Sequence, residues 1–135
     1  MAMLPNFERI INAPVNGYLY LNIRPQTGKA VKGVLITVSN EDIIRLKERE
    51  VGYTCTTVGK DAATQENIFA FIAPDTKYPD LMIPRSYLNT CIEPLPENER
   101  GIWMAETVIE NPIYEDSNSP VYQNATEVNP GTENN

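Results

Sequence analysis

A carboxylate set on the apolar face of a helix is the first feature of this chain that could do chemistry. Ile43, Leu46 and Glu50 are spaced three and then four residues apart, which places them on one helical face. Glu41, Arg45, Glu48 and Arg49 fall mainly on wetter faces. Glu50 therefore takes a slot that the pattern assigns to the protein side. A carboxylate facing a core is costly unless it is paired or partly protonated. A desolvated carboxyl holds its proton to higher pH, the property a general base near neutral pH needs. The other reading of the same spacing puts Glu50 at a frayed helix end, exposed or paired with Arg49 or Lys47.

The elements around Glu50 follow from local signals. Val31 to Val38, VKGVLITV, is rich in Val, Ile and Leu and predicts a strand. Both of its faces are mostly apolar, so it is expected to be central and covered on both sides. Ser39 stops the strand and can cap a helix, with Asp42 reaching back in a capping box. Glu41 and Asp42 suit the positive first turn. The helix is expected to end near Glu50, with Gly52 in a left-handed conformation.

At 135 residues, 41% hydrophobic and 21% charged, the composition is that of a single globular domain. The net charge of −7 and pI of about 4.6 leave no basic stripe, so neither nucleic acid nor an anionic membrane surface is an expected partner. No apolar run reaches transmembrane length and no secretory leader is visible, so a cytoplasmic location is expected. The chain has no histidine, which removes His-based triads and His-containing zinc sites. Acid–base work must fall to Asp, Glu, Tyr, Lys or Cys. Cys55 and Cys91 are expected to be buried free thiols.

Along the chain, Phe7, Ile10 and Ile11 suggest a helical turn, and Ala13 to Asn16 a connector. Gly17 to Ile23 predicts a strand, and Pro25 to Gly28 a turn returning it antiparallel to the Val31 strand. Tyr53 to Val58 predicts a strand with one wetter face. The run Ile68 to Ala73, IFAFIA, is the most apolar and is expected to be central. Pro84 introduces a short helix over Arg85 to Ile92, and Pro96 another reaching Ile109. From Glu110 the periodicity is lost. The chain is thus divided into a domain at 1–109 and a polar tail at 110–135, disordered or draped on the surface. Tyr114 and Tyr122 would pack back on the domain. Asn124-Ala125-Thr126 matches a glycosylation sequon by letter only.

The segment VKGVLITVSNEDIIRLKEREVGY resembles the core of the gamma-glutamylcyclotransferase-like superfamily. The shared pattern is a strand ending in a Gly-Val-apolar run, a helix with Leu near its end, an acidic residue four positions later, and a Tyr opening the next strand. Leu46, Glu50 and Tyr53 match in that order. The resemblance extends over roughly Ala13 to Ile92. It implies an α+β fold, a small mixed β-barrel flanked by helices, with a cavity at one end. It also implies Glu50 as the catalytic acid/base. Pro84-Arg85-Ser86-Tyr87 resembles the family's segment after the last core strand, where a tyrosine lines the pocket. Tyr53 and Tyr87 would then bind substrate, with Lys47 and Arg85 as candidate partners for its α-carboxylate. A core tyrosine with its hydroxyl at the rim is the other reading of Tyr87.

The reaction the resemblance implies closes a gamma-glutamyl group to 5-oxoproline and releases an amine or amino acid, with no cofactor and no metal. The family's N-terminal Y-G-S-N-L-type loop, whose amides hold the substrate, has no counterpart in this sequence. Phe71 also stands where the family often has a tyrosine. Two functions are therefore carried forward. One is a gamma-glutamylcyclotransferase acting on a small gamma-glutamyl compound. The other is a non-catalytic member of the fold that binds an amino-acid-like ligand or a protein partner. An exposed barrel edge would allow a homodimer.

Overall fold

The computed structural model describes residues 2–117. Two long strands dominate it. β1 (Ala2–Val15) and β2 (Tyr18–Gly33) form an antiparallel hairpin, with Val15 opposite Tyr18. The turn between them is Asn16-Gly17, with φ of 49° and 86°. Two successive left-handed residues make a tight hairpin turn that matches strand twist, and Asn-Gly is the pair that tolerates them. β6 (Thr107–Val108) pairs parallel with β1, so β1 lies in the middle of a three-stranded sheet, β2-β1-β6. Arg9 through Ala13 are all buried there.

That placement corrects the expected helical turn and connector. Ile10 and Ile11 are adjacent in sequence and both about 1% exposed. A strand paired on both edges and covered on both faces buries consecutive residues, so periodicity is lost where it is needed. The expected turn at Pro25–Gly28 is not a reversal either. β2 continues through it. Pro5 pairs with Ala30 and Phe7 with Pro25, so four residues bulge out opposite Asn6. Asn6 (φ 64°) and Gly28 (φ 84°) take up the distortion, and the Asn6 side-chain oxygen accepts the Gly28 N–H at 3.3 Å.

The expected strand Val31–Val38 keeps its pairing only as far as Gly33, opposite Ala2. Val34, Leu35 and Ile36 are 74%, 51% and 72% exposed, so this segment is neither central nor covered. α1 (Asn40–Arg49) has the expected capping box. Asp42 N–H donates to Ser39 Oγ at 3.1 Å, and Ser39 N–H donates to Asp42 Oδ2. Its Ile43, Leu46 and Glu50 stripe is the less exposed face, although none of the three is fully buried.

β3 (Thr54–Lys60) and β4 (Asn67–Ile72) form a separate antiparallel hairpin. The IFAFIA run is thus one half of a two-stranded sheet, and Phe69 is 48% exposed. α2 (Arg85–Ile92) occupies its expected span. α3 (Glu97–Ala105) ends earlier than expected, because Thr107 and Val108 leave it to join β1. β5 (Ile83–Pro84) pairs parallel with β7 (Ile113–Tyr114) and is tied to β2 by Leu19 N–H donating to Met82 O at 3.0 Å.

The architecture is mixed α+β, with strands in three small sheets. The core gathers Ile11, Leu19, Ile83, Leu88 and Ile113, with Trp103 and Leu81 against it. Ile113 lies beyond the expected boundary at residue 109, so the packed domain extends into the segment read as tail. Tyr122 and the Asn124 sequon lie outside the described residues. Among the described residues, no helix is long and apolar enough to cross a membrane.

Candidate functional site

Glu50 is the C-cap of α1, where its backbone N–H donates to Leu46 O at 2.9 Å. Gly52 (φ 89°) then turns the chain into Tyr53 and β3. The turn directs Glu50 and Tyr53 towards the β1–β2 hairpin. A cleft of about 660 Å³ opens there, lined by Glu50 with its neighbours Arg49 and Val51, by Tyr53, Tyr20 and Tyr87, and by Val15 and Asn16 at the hairpin end. Glu50, Tyr53 and Tyr87 are thus brought together from the end of α1, the approach to β3, and α2. Glu50 is partly exposed, and its carboxylate enters no hydrogen bond or ion pair among the described residues.

The two tyrosines close on the same residue of β2, one on each of the peptides that flank it. Tyr53 Oη donates to Leu21 O at 2.8 Å. Leu21 N–H donates to Tyr87 Oη at 3.1 Å. Leu21 belongs to the outer edge of its sheet, since β1 covers only one side of β2. The hydroxyls satisfy the edge N–H and carbonyl of Leu21, which would otherwise need water. Tyr20, beside Leu21, meets Tyr87 edge-on with ring centroids 4.8 Å apart.

These contacts set the electrostatics. Burial, the Glu50 charge and Tyr20 push the Tyr53 hydroxyl up to about 12. Burial also raises Tyr87, helped by the Cys91 thiol beside it. Cys91 is itself raised by burial, against the opposing pull of Tyr87 and Arg9. At neutral pH both tyrosines are therefore neutral, and the cleft sets the Glu50 carboxylate among aromatic rings and phenols, with the Arg49 guanidinium on the same wall. That surface suits a small amino-acid-like body, whose ammonium group meets Glu50 and the rings and whose carboxylate meets Arg49.

Arg85 does not belong to this cleft. It is fully buried, and its Nε and Nη2 donate to the two Glu115 oxygens at 3.2 and 3.1 Å. The fork pairs inward because Glu115, directly after β7, lies alongside the start of α2, and a bidentate carboxylate satisfies a buried guanidinium. Lys47 is exposed on α1 and does not line the cleft. Tyr20 and the Asn16 turn were not among the expected site residues. The signal for the turn was in the sequence: Asn-Gly between apolar strand residues is a strong hairpin mark.

Cys55 and Cys91 are free thiols. Among the described residues, no group of three His, Cys, Asp or Glu side chains is placed to hold a metal ion.

No family model, curated protein or solved structure matches this chain.

Proposed function

We propose that the Glu50 cleft binds a small gamma-glutamyl compound and closes it to 5-oxoproline, as a gamma-glutamylcyclotransferase-like enzyme. One observation carries the reading. Glu50, Tyr53 and Tyr87, the positions the resemblance marks, line a single cleft although they come from separate elements. On this reading the three sheets are an opened version of the family's small mixed barrel, and the compartment is cytoplasmic.

The chemistry needs one group that takes a proton and then gives it back. The α-amine attacks its own γ-carbonyl as Glu50 accepts the amine's proton. The bond from the γ-carbon to the departing nitrogen then breaks, and Glu50 returns the proton to that nitrogen. No atom is gained or lost from outside. The free carboxylate of Glu50 suits both steps. Holding the two ends of one molecule in ring-closing geometry lowers the barrier further. Tyr20 and Tyr87 would pack against the substrate's methylenes. Asn16 lines the cleft, and its amide would take the part of the family's N-terminal loop and donate to the developing oxyanion.

A second reading, a non-catalytic ligand-binding protein, is favoured by the tyrosine hydroxyls. Both are engaged with Leu21, so Glu50 would have to move every proton alone. The test is 5-oxoproline release from a panel of gamma-glutamyl amino acids and amines, wild type against Glu50→Gln. Release that Glu50→Gln lowers by two or more orders of magnitude, with an unchanged melting temperature, supports the enzyme. Binding of the same compounds without release supports the second reading.

A further inference from the structure

We propose that the cleft beside the Glu50 site, walled by Tyr18, Tyr20, Tyr87 and Tyr114 with Asp116 at its rim, binds an ammonium group. This cleft encloses about 300 Å³ and also touches Ser86. Among the described residues, no Lys or Arg lines it. Its rings form two pairs. Tyr18 and Tyr114 stack at 5.7 Å with planes 28° apart, and Tyr20 meets Tyr87 edge-on. Tyr18 and Tyr20 alternate on one face of β2, while α2 supplies Tyr87 and β7 supplies Tyr114. Four aromatic rings and one carboxylate, with no base among them, favour a cation and disfavour an anion.

Asp116 is held in place for this role. It accepts the Ser86 N–H at 2.7 Å and the Ser86 hydroxyl at 2.5 Å. Burial pushes its carboxyl upward, but the hydrogen bonds from Ser86 outweigh that and leave it below its ordinary value. It is charged at neutral pH. Each carboxylate oxygen keeps a lone pair for another donor.

Tyr20 and Tyr87 line both clefts. The two therefore meet along a shared tyrosine wall, with Glu50 beyond one side of it and Asp116 beyond the other. A ligand crossing that wall could present a positive group to each carboxylate. This step rests on the function proposed above and narrows its substrate class. The α-ammonium of the gamma-glutamyl group faces Glu50, and the amine released carries a second ammonium that faces Asp116. The preferred substrates are gamma-glutamyl derivatives of diamines.

The experiment has a binding arm and a turnover arm. In the first, 1,4-diaminobutane and 1-butanol are titrated into wild type, Asp116→Asn and Tyr114→Leu by calorimetry. Asp116→Asn keeps an oxygen for Ser86, and Tyr114→Leu leaves the Asp116 contacts intact. The diamine should bind at least tenfold more tightly than the alcohol. Asp116→Asn should remove most of that difference, and Tyr114→Leu should weaken diamine binding by roughly threefold. Equal binding of diamine and alcohol, or a diamine affinity unchanged in both folded variants, overturns the ammonium site. In the second arm, gamma-glutamyl-1,4-diaminobutane is compared with gamma-glutamyl-butylamine, which lacks the terminal amine. A preference for the diamine in kcat/KM that Asp116→Asn abolishes supports the proposal. Equal release from both overturns the ammonium site and leaves the cyclotransferase standing. Diamine binding that depends on Asp116, with no release from either compound, supports the site and removes the cyclotransferase.

Discussion

The two ends of the β1–β2 hairpin are built from similar residues and meet opposite fates. Near the Asn16-Gly17 turn, Ile11 and Leu19 disappear into the core against Ile83, Leu88 and Ile113. At the far end, Met3, Val34, Leu35 and Ile36 are largely exposed, beside a shallow apolar groove completed by Phe69. Hydrophobicity does not separate the ends. What differs is the cover. At the turn end, α2, β5 and β7 pack over the hairpin, and a polar clasp ties it to the chain after β4. In that clasp, Asn22 Nδ2 donates to Asn12 Oδ1 at 2.9 Å and to Ala73 O at 3.0 Å. Ala73 N–H donates back to Asn22 Oδ1 at 2.9 Å. Asn12 Nδ2 continues to Asp75 Oδ1 at 2.9 Å. The candidate site lies at the covered end, where rigid neighbours can hold side chains in place.

The comparison is sharpest in stability. Leu88→Ala, at the centre of the covered end, should cost about 2–5 kcal/mol, because the surrounding helix and strands relax only partly into the void. Chemical denaturation would measure it. A cost below 1 kcal/mol would mean that this end is far looser than its burial implies. Asn22→Ala should cost about 1–3 kcal/mol, since it strands the buried Ala73 N–H and carbonyl together. Hydrogen exchange at Ala73 should accelerate in the same variant.

The tyrosines at the covered end predict a pH effect. Tyr53 titrates near 10 in the unfolded chain and at about 12 when folded. The native state thus holds its proton longer. The stabilising contribution is complete below pH 10 and is lost as pH rises from 10 through about 12. Spectrophotometric titration should find phenols ionising later than the exposed ones, and Tyr53→Phe should remove one of them. Ser39→Ala should cost about 1 kcal/mol, read from the melting temperature, by removing the α1 cap. Ile36→Ala, at the uncovered end, should change stability by no more than about 0.5 kcal/mol. A large loss there would break the contrast between the ends.

The sequence was most legible where signals were local. Ser39 and Asp42 announced their capping box, Gly52 its left-handed turn, and Pro84 the start of α2. None of these depends on distant residues. The Glu50 stripe was legible for the same reason, because helical spacing fixes a face. Where burial depended on other elements, reading from sequence failed. Val34 to Ile36 and the IFAFIA run have the composition of central strands, yet strand centrality is decided by which partners arrive. Ile10 and Ile11 looked helical because burial on both faces of a strand erases its alternation. Arg85 looked available because nothing near it in sequence showed that Glu115, 30 residues later, would close on it. The tyrosine wall was half visible. Tyr18 and Tyr20 share a strand face by alternation, but Tyr87 and Tyr114 join them only through tertiary packing.

We propose that small-molecule recognition resides at the covered end, around Glu50. The most direct measurement is an amide NMR titration of the whole chain with a gamma-glutamyl amine. The account predicts shifts clustered at Asn16, Tyr20, Glu50, Tyr53 and Tyr87, with Met3, Leu35 and Phe69 unmoved. Shifts confined to the Met3–Leu35–Phe69 groove, or a saturating titration that leaves Glu50 and its neighbours silent, would contradict it.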